Sequence, residues 1–364
     1  MIEWTESAPS SSRADPEALA RAVDLVRARG GKAQLCVLSR GTVVLDRSFG
    51  CAPDDLFWIF SASKPFIALL IHKLAEQGEL ALDHPVAAYW PEFAHHGKQA
   101  VTIRHVLQHR SGVPVARNAA LDMLTIADWD RAVHAVERAR PTRPPGQCAA
   151  YHIVTYGVIL GELARRITRT PLPDALRSAF FAPLSLHNTS LGISVAQWSR
   201  HVPVRGADVL ARATAGFVNR KALRQAVIPA AGISTTARDL ARFYQALLND
   251  GELDGVRILN PDALARAREP STAPGEVDRV IRLPIRWSHG FQLGGPTPPP
   301  HPPKPMGADS DPRTFGHNGS NCCIAWADPT RALVFAYLTD HLQSGHAGAR
   351  HMAALSDAVI SACP

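Results

Sequence analysis

Strand-forming residues lie towards the two ends of this 364-residue chain, and that placement limits what it can fold into. Near the N-terminus, "AQLCVLSRGTVVLDRSFG" gives two β-rich runs around Arg40-Gly41, which reads as a hairpin. Near the C-terminus, "NCCIAWA" (321–327) and "RALVFAYLTD" (331–340) are joined by "DPT", a second hairpin. The region from about 80 to 225 is helix-rich instead: "IRHVLQHRSG", "WDRAVHAVERA", "VTYGVILGELARRI" and "PDALRSAFFAPL" read as short helices between Pro/Gly breaks. The simplest packing joins the terminal strands into one antiparallel sheet. Helices at both ends, "PEALARAVDLVRAR" (16–29) and "ARHMAALSDAVISA", would flank it. The expected fold is therefore α/β in the α+β sense. A sheet domain of residues 1–79 and 226–364 carries an inserted helical domain of 80–225, with the active cleft at their junction.

Composition narrows the function. No run approaches 18 apolar residues, so no membrane span is expected. The first residues are polar and acidic, without the basic and apolar regions of a signal peptide. Six cysteines show no metal spacing and suggest no disulfide framework, so a reducing cytoplasm is the expected compartment. The net charge of +7 comes from scattered arginines with no aromatic interleaving, which argues against nucleic acid. The histidines show neither H-x-H nor H-E-x-x-H spacing, so no metal and no cofactor is expected. Residues 296–305, "PTPPPHPPKP", form a stiff loop that either walls a cleft or is a surface insertion.

The chemistry starts at "LFWIFSASKPF" (56–66). Pro65 lacks an N–H, so a helix through it begins close by. On a helical turn Ser61 and Lys64, at i and i+3, share a face while Ser63 points elsewhere. A serine is a poor nucleophile without a base. Lys64 can serve if its pKa falls from about 10.4 towards 7, and Trp58, Phe60 and Phe66 would supply the apolar wall that lowers it. Downstream, "PPGQCAAYHIVTYG" places Tyr151 after a Pro-Gly turn, where it could relay the proton if Lys64 depresses its own pKa. "FGHNGSNCCIAWADP" places His317 and Gly319 at the start of a strand, the glycine letting backbone approach a ligand. The amides of Ser61 and Ser320 would then form a two-donor oxyanion hole.

Taken with "VTIRHVLQHRSGVP", "FFAPLSLHNTSLG" and "PAAGISTTARDLARFYQALLNDGEL", these blocks resemble, in order, the serine β-lactamase-related family. That family comprises class C β-lactamases, penicillin-binding DD-peptidases and esterases of the same fold. The resemblance spans about residues 33–340. It implies Ser61 as acylated nucleophile, Lys64 as base, Tyr151 as relay, and His317 and Gly319 in an H-x-G form of the third motif. Two departures matter. The family's Y-x-N has Ile153 in place of asparagine, and on an extended segment Ile153 faces the cleft beside Tyr151. K-T-G is missing, so its lysine is not there for a carboxylate, and His317 could replace it only when protonated. Both departures favour an ester with an apolar acyl group over β-lactams and peptides. The expectation is a carboxylesterase acting on small or medium esters, with Trp58, Ile153, His317 and Gly319 contacting substrate. A β-lactamase, an amidase or a D-amino-acid peptidase of the same fold is the alternative, and a silent binding protein is a more distant one.

His105 and His109 are expected to be structural on one helix face, and His152 to point away from the cleft. Cys322 and Cys323 read as small buried residues rather than catalytic thiols.

Overall fold

The computed structural model describes residues 4–7 and 14–364. The expectation of no signal peptide rests on a segment largely outside the described residues. The terminal strands do combine. Thr42–Phe49, Ala33–Ser39, Leu333–Thr339, Cys323–Asp328, Phe315–Gly319 and Gln292–Leu293 lie side by side, in that order, in one six-stranded antiparallel sheet. Arg40 and Gly41 close the first hairpin with positive φ of 50° and 76°. In the second, the Asp328 carboxylate accepts the amides of Thr330 and Arg331.

The central strands are continuous apolar runs because both faces of the sheet are covered. One face, with Leu35, Val37, Trp326 and Phe335, packs on the helices Pro16–Arg29 and Gly345–Ala362. The first of these begins as its sequence dictates: Asp15 caps the amides of Glu17 and Ala18, Pro16 opens the helix, and Gly30 at φ 69° ends it. The opposite face, with Cys36, Leu38, Ala336 and Leu338, packs on Ala237–Leu248 and on the wholly buried run Phe66–Ile71 of the Lys64–Glu76 helix.

The middle of the chain carries the helices Ile103–Leu107, Trp129–Arg138, Thr155–Thr168 and Leu172–Leu176. We propose the division into a sheet unit (1–79 and 226–364) and a helical unit (80–225). Between them a three-stranded sheet pairs Phe57–Trp58 and Ser190–Leu191 with Ile233–Thr235. That small sheet anchors the segment running into Ser61: the Ile59 amide donates to the Ile233 carbonyl at 3.0 Å.

One expectation is corrected. Residues 315–327 do not start a single strand at His317. They form a hairpin, Phe315–Gly319 against Cys323–Asp328, because Ser320 (φ 51°) and Asn321 (φ 54°) turn the chain.

Candidate active site

Ser61 lies in a 3₁₀ turn, Phe60–Ser63, that runs directly into the Lys64–Glu76 helix with Pro65 in its first turn. The turn is entered through Phe60 at φ 46°, a conformation costly for an aromatic residue. In 3₁₀ geometry the side chains at i and i+3 eclipse, so Ser61 and Lys64 meet, with Lys64 Nζ 3.4 Å from Ser61 Oγ. Ser63 is turned inward, where its hydroxyl accepts the Ile233 amide at 3.1 Å. Ser61 itself is half-buried and keeps a side open.

Lys64 is wholly buried, and Nζ also donates to the carbonyls of Ile153 (2.9 Å) and Ala230 (3.2 Å). Carbonyl dipoles do not neutralise a buried ammonium, and burial lowers its pKa to about 7. The walls differ from those expected. Phe66 stacks on Phe243 in the core. Lys64 instead meets Tyr151, whose ring centroid is 4.7 Å from Nζ, and lines a narrow space with Tyr156, Trp287 and Phe291. Trp58 is occupied elsewhere, its buried indole lying beneath the Arg224 guanidinium, so the structure gives it a core position rather than a substrate contact.

Tyr151 is held by stacking on Trp287, with centroids 5.2 Å apart and planes 8° apart, and by His109 at 4.8 Å. Its hydroxyl is within hydrogen-bonding reach of Ser61. Here too an expectation is corrected. Burial pushes the phenol upward, the Ser61 hydrogen bond opposes this only in part, and the Asp278 charge raises it further. Tyr151 is thus a protonated O–H donor, not a phenolate. Ile153 is half-buried against the Tyr151–Trp287 cluster, and its carbonyl, unforeseen from sequence, is a Lys64 acceptor.

The Phe315–Gly319 strand passes behind the Ser61 turn. A Cβ on Gly319 would lie 2.1 Å from the Ile59 carbonyl oxygen, so this glycine admits the protein's own backbone rather than a ligand's. His317 is buried 6.4 Å from the Tyr151 ring. Its Nδ1 pairs with the Asn318 carbonyl at 2.8 Å, leaving Nε2 without a partner. Burial holds its pKa at about 3, so it is neutral and offers a carboxylate no charge. Beyond the strand, Ser320 is exposed, and Asn318 and Asn321 brace the turn through Nδ2 to Oδ1 at 3.0 Å. The Cys323 thiol donates to the Ile59 carbonyl at 2.9 Å and that of Cys322 to Thr339, both with pKa raised by burial. These are packing residues, not thiolates.

A cavity of about 330 Å³ opens beside the Ser320 turn. Asn318 and Asn321 line it, with Ile281, Leu283 and Leu293 along one wall and Pro302–Met306 of the proline-rich loop along another. Lys304 fixes that loop by donating to the Gly294 carbonyl at 3.0 Å.

An ordered set of motif blocks on this fold leads to a family, and a family model described as Beta-lactamase matches residues 21–359. The chain belongs to the beta-lactamase family. Within it, the chain is 31% identical over 329 residues to the Esterase/beta-lactamase LipL of Mycobacterium tuberculosis, covering 80% of this chain and 70% of that protein. Among solved structures it is similar to a family VIII carboxylesterase (26% identity, TM-score 0.81, 96% and 98% of the two chains). It is likewise similar to EstA of Arthrobacter nitroguajacolicus Rue61a (26%, TM-score 0.80, 99% and 98%).

Sequence reasoning missed Asp278 and Trp287, which lie outside the quoted blocks, and the Ala230 carbonyl, for which a backbone atom leaves no sequence signal. His109 lies beyond its helix at φ 59° rather than on one face with His105, and its Nδ1 accepts the His152 amide.

Proposed function

We propose that this chain is a serine carboxylesterase acting on small or medium esters. Ser61 Oγ attacks the ester carbonyl carbon while its proton passes to the neutral amine of Lys64. The Ser61 and Ser320 amides receive the oxyanion, each such donor being worth on the order of a hundredfold in rate. The carbon–oxygen bond to the alcohol breaks as the proton returns through the Tyr151 hydroxyl, and water then cleaves the acyl-enzyme by the reverse path. The observation that carries the reading is a buried lysine with a pKa of about 7, 3.4 Å from a serine hydroxyl that is not sealed. Three features support an ester over a β-lactam or peptide: neutral His317, the apolar Ile153, and an apolar cavity beside Ser320. The relatives named as esterases point the same way. Among the described residues no helix is long and apolar enough to cross a membrane, and a reducing cytoplasm suits six free cysteines.

The test is steady-state hydrolysis of p-nitrophenyl acetate, butyrate and octanoate beside a chromogenic cephalosporin, wild type against Ser61→Ala. Ester turnover lost in the variant, with the cephalosporin intact in both, is expected. Turnover retained by Ser61→Ala sinks the assignment, and rapid cephalosporin opening by wild type moves it to the β-lactamase reading.

A further inference from the structure

A fully buried carboxylate, Asp278, lies behind Tyr151 in an irregular loop. Four N–H groups converge on it. Oδ1 accepts the amides of Tyr151 (3.2 Å), Val280 (2.8 Å) and Ile281 (2.9 Å), and Oδ2 accepts the Trp287 indole N–H at 3.0 Å. Two of these bonds close the carboxylate's own loop, as any turn-forming aspartate does. The other two leave the loop, and both end on the surroundings of one side chain: the backbone of Tyr151 and the ring on which Tyr151 stacks. A second contact ties the same segments together, the Arg279 amide donating to the Ala149 carbonyl at 3.0 Å.

We infer that Asp278 is a positioning residue, which, through Trp287 and the Tyr151 amide, holds the Tyr151 hydroxyl where it protonates the departing alcohol. The inference rests on the Ser61–Lys64–Tyr151 reading above. A ring held only by stacking can slide and rotate in its plane, and a backbone amide alone leaves both side-chain torsions free. One carboxylate that fixes the main chain and the stacking partner removes both freedoms. The charge also acts through space, since Asp278 raises the Tyr151 pKa and so keeps the hydroxyl protonated.

Proton donation matters in proportion to how poor the leaving group is. An ethoxide must be protonated as it departs, whereas p-nitrophenoxide leaves without help. The experiment compares kcat/KM, which reports acylation, for ethyl butyrate and p-nitrophenyl butyrate in wild type, Asp278→Asn and Trp287→Phe. Asp278→Asn is expected to lose roughly a hundredfold on the ethyl ester and under about tenfold on the p-nitrophenyl ester. Trp287→Phe keeps a stacking ring but removes the N–H, and should shift the ratio the same way by several-fold. In a Tyr151→Phe background, Asp278→Asn should no longer change the ratio. Equal losses on both esters would overturn the inference and leave Asp278 a loop anchor. Should Asp278→Asn fail to fold, a flat ratio in Trp287→Phe overturns it alone. Failure of the underlying reading is seen separately, as activity surviving Ser61→Ala.

Discussion

Two serines near Tyr151 each sit beside a base, and only one of them is placed to react. Ser111 Oγ pairs with His152 Nε2 at 2.5 Å, a far shorter contact than the 3.4 Å between Ser61 and Lys64. By hydrogen-bond length alone Ser111 would be the nucleophile. It is sealed, however: Ser111 and His152 are both wholly buried, and the hydroxyl also accepts the Val113 amide. His152 Nδ1 is engaged with the Ala150 carbonyl. Burial takes its pKa to about 3, whereas Lys64, buried as deeply but starting four units higher as an amine, comes to rest at about 7. A base works best when its pKa lies near the operating pH. The same desolvation that disables an imidazole therefore tunes an amine. The Ser111–His152 pair is a tie between the segments 109–113 and 150–152, and it holds the Tyr151 segment from behind.

The largest effect should come from Lys64→Met. We expect at least a thousandfold loss in kcat/KM together with a higher Tm, because the substitution removes a buried amine and keeps an apolar stem. The pKa of Lys64 falls from the usual 10.5 to about 7, which corresponds to roughly 5 kcal/mol against the charged form. The sign follows from linkage: between about pH 7 and 10.5 the unfolded chain binds the extra proton, so stability rises with pH across that window. Urea midpoints of wild type and Lys64→Met should therefore differ most at or below pH 7 and converge towards pH 10. In wild type, kcat/KM should climb with pH through a limb near 7 as the amine loses its proton. A flat profile from pH 6 to 9, or a Lys64→Met protein no more stable than wild type at pH 6, would place the base elsewhere.

Ser111→Ala should do the opposite, changing stability and hardly the rate. It strips the Val113 amide and His152 Nε2 of a buried partner, a loss of about 1–3 kcal/mol, read as a lower urea midpoint at unchanged m. The rate per folded molecule should stay within about threefold. A hundredfold fall in rate without loss of stability would break the contrast and make Ser111 a participant.

What could be read from sequence follows the same division between local spacing and tertiary closure. The i, i+3 relation of Ser61 and Lys64 and the two terminal hairpins are local, and both appear where the spacing and turn residues place them. The positive φ at Phe60 is set by anchoring to Ile233, a pairing across 174 positions of chain that the motif does not display. The direction of the Tyr151 shift was legible only through burial. Lys64 in the motif suggests a lowered pKa, but for a ring enclosed by Trp287 and His109 desolvation outweighs the lowering by the Ser61 hydrogen bond. The role of Gly319 likewise depends on which backbone lies opposite, and that is decided by the hairpin at Ser320.

Ser61, unlike Ser111, is only half-buried, and a test of whether the acyl chain runs from it to the cavity flanking the Ser320 turn carries the smallest expected effect. If the acyl chain enters there, Ala349→Phe, on the Gly345–Ala362 helix at the cavity wall and away from the Tyr151 cluster, should shorten the preferred chain. Each methylene that loses its apolar site forfeits about 0.8 kcal/mol, so excluding two or three of them lowers kcat/KM for p-nitrophenyl octanoate by roughly ten- to fiftyfold. Acetate should stay within about twofold, since its acyl group ends before the wall. Equal kcat/KM ratios for acetate and octanoate in wild type and variant would mean that the chain leaves Ser61 by another route and that the proline-walled cavity is no part of the substrate site.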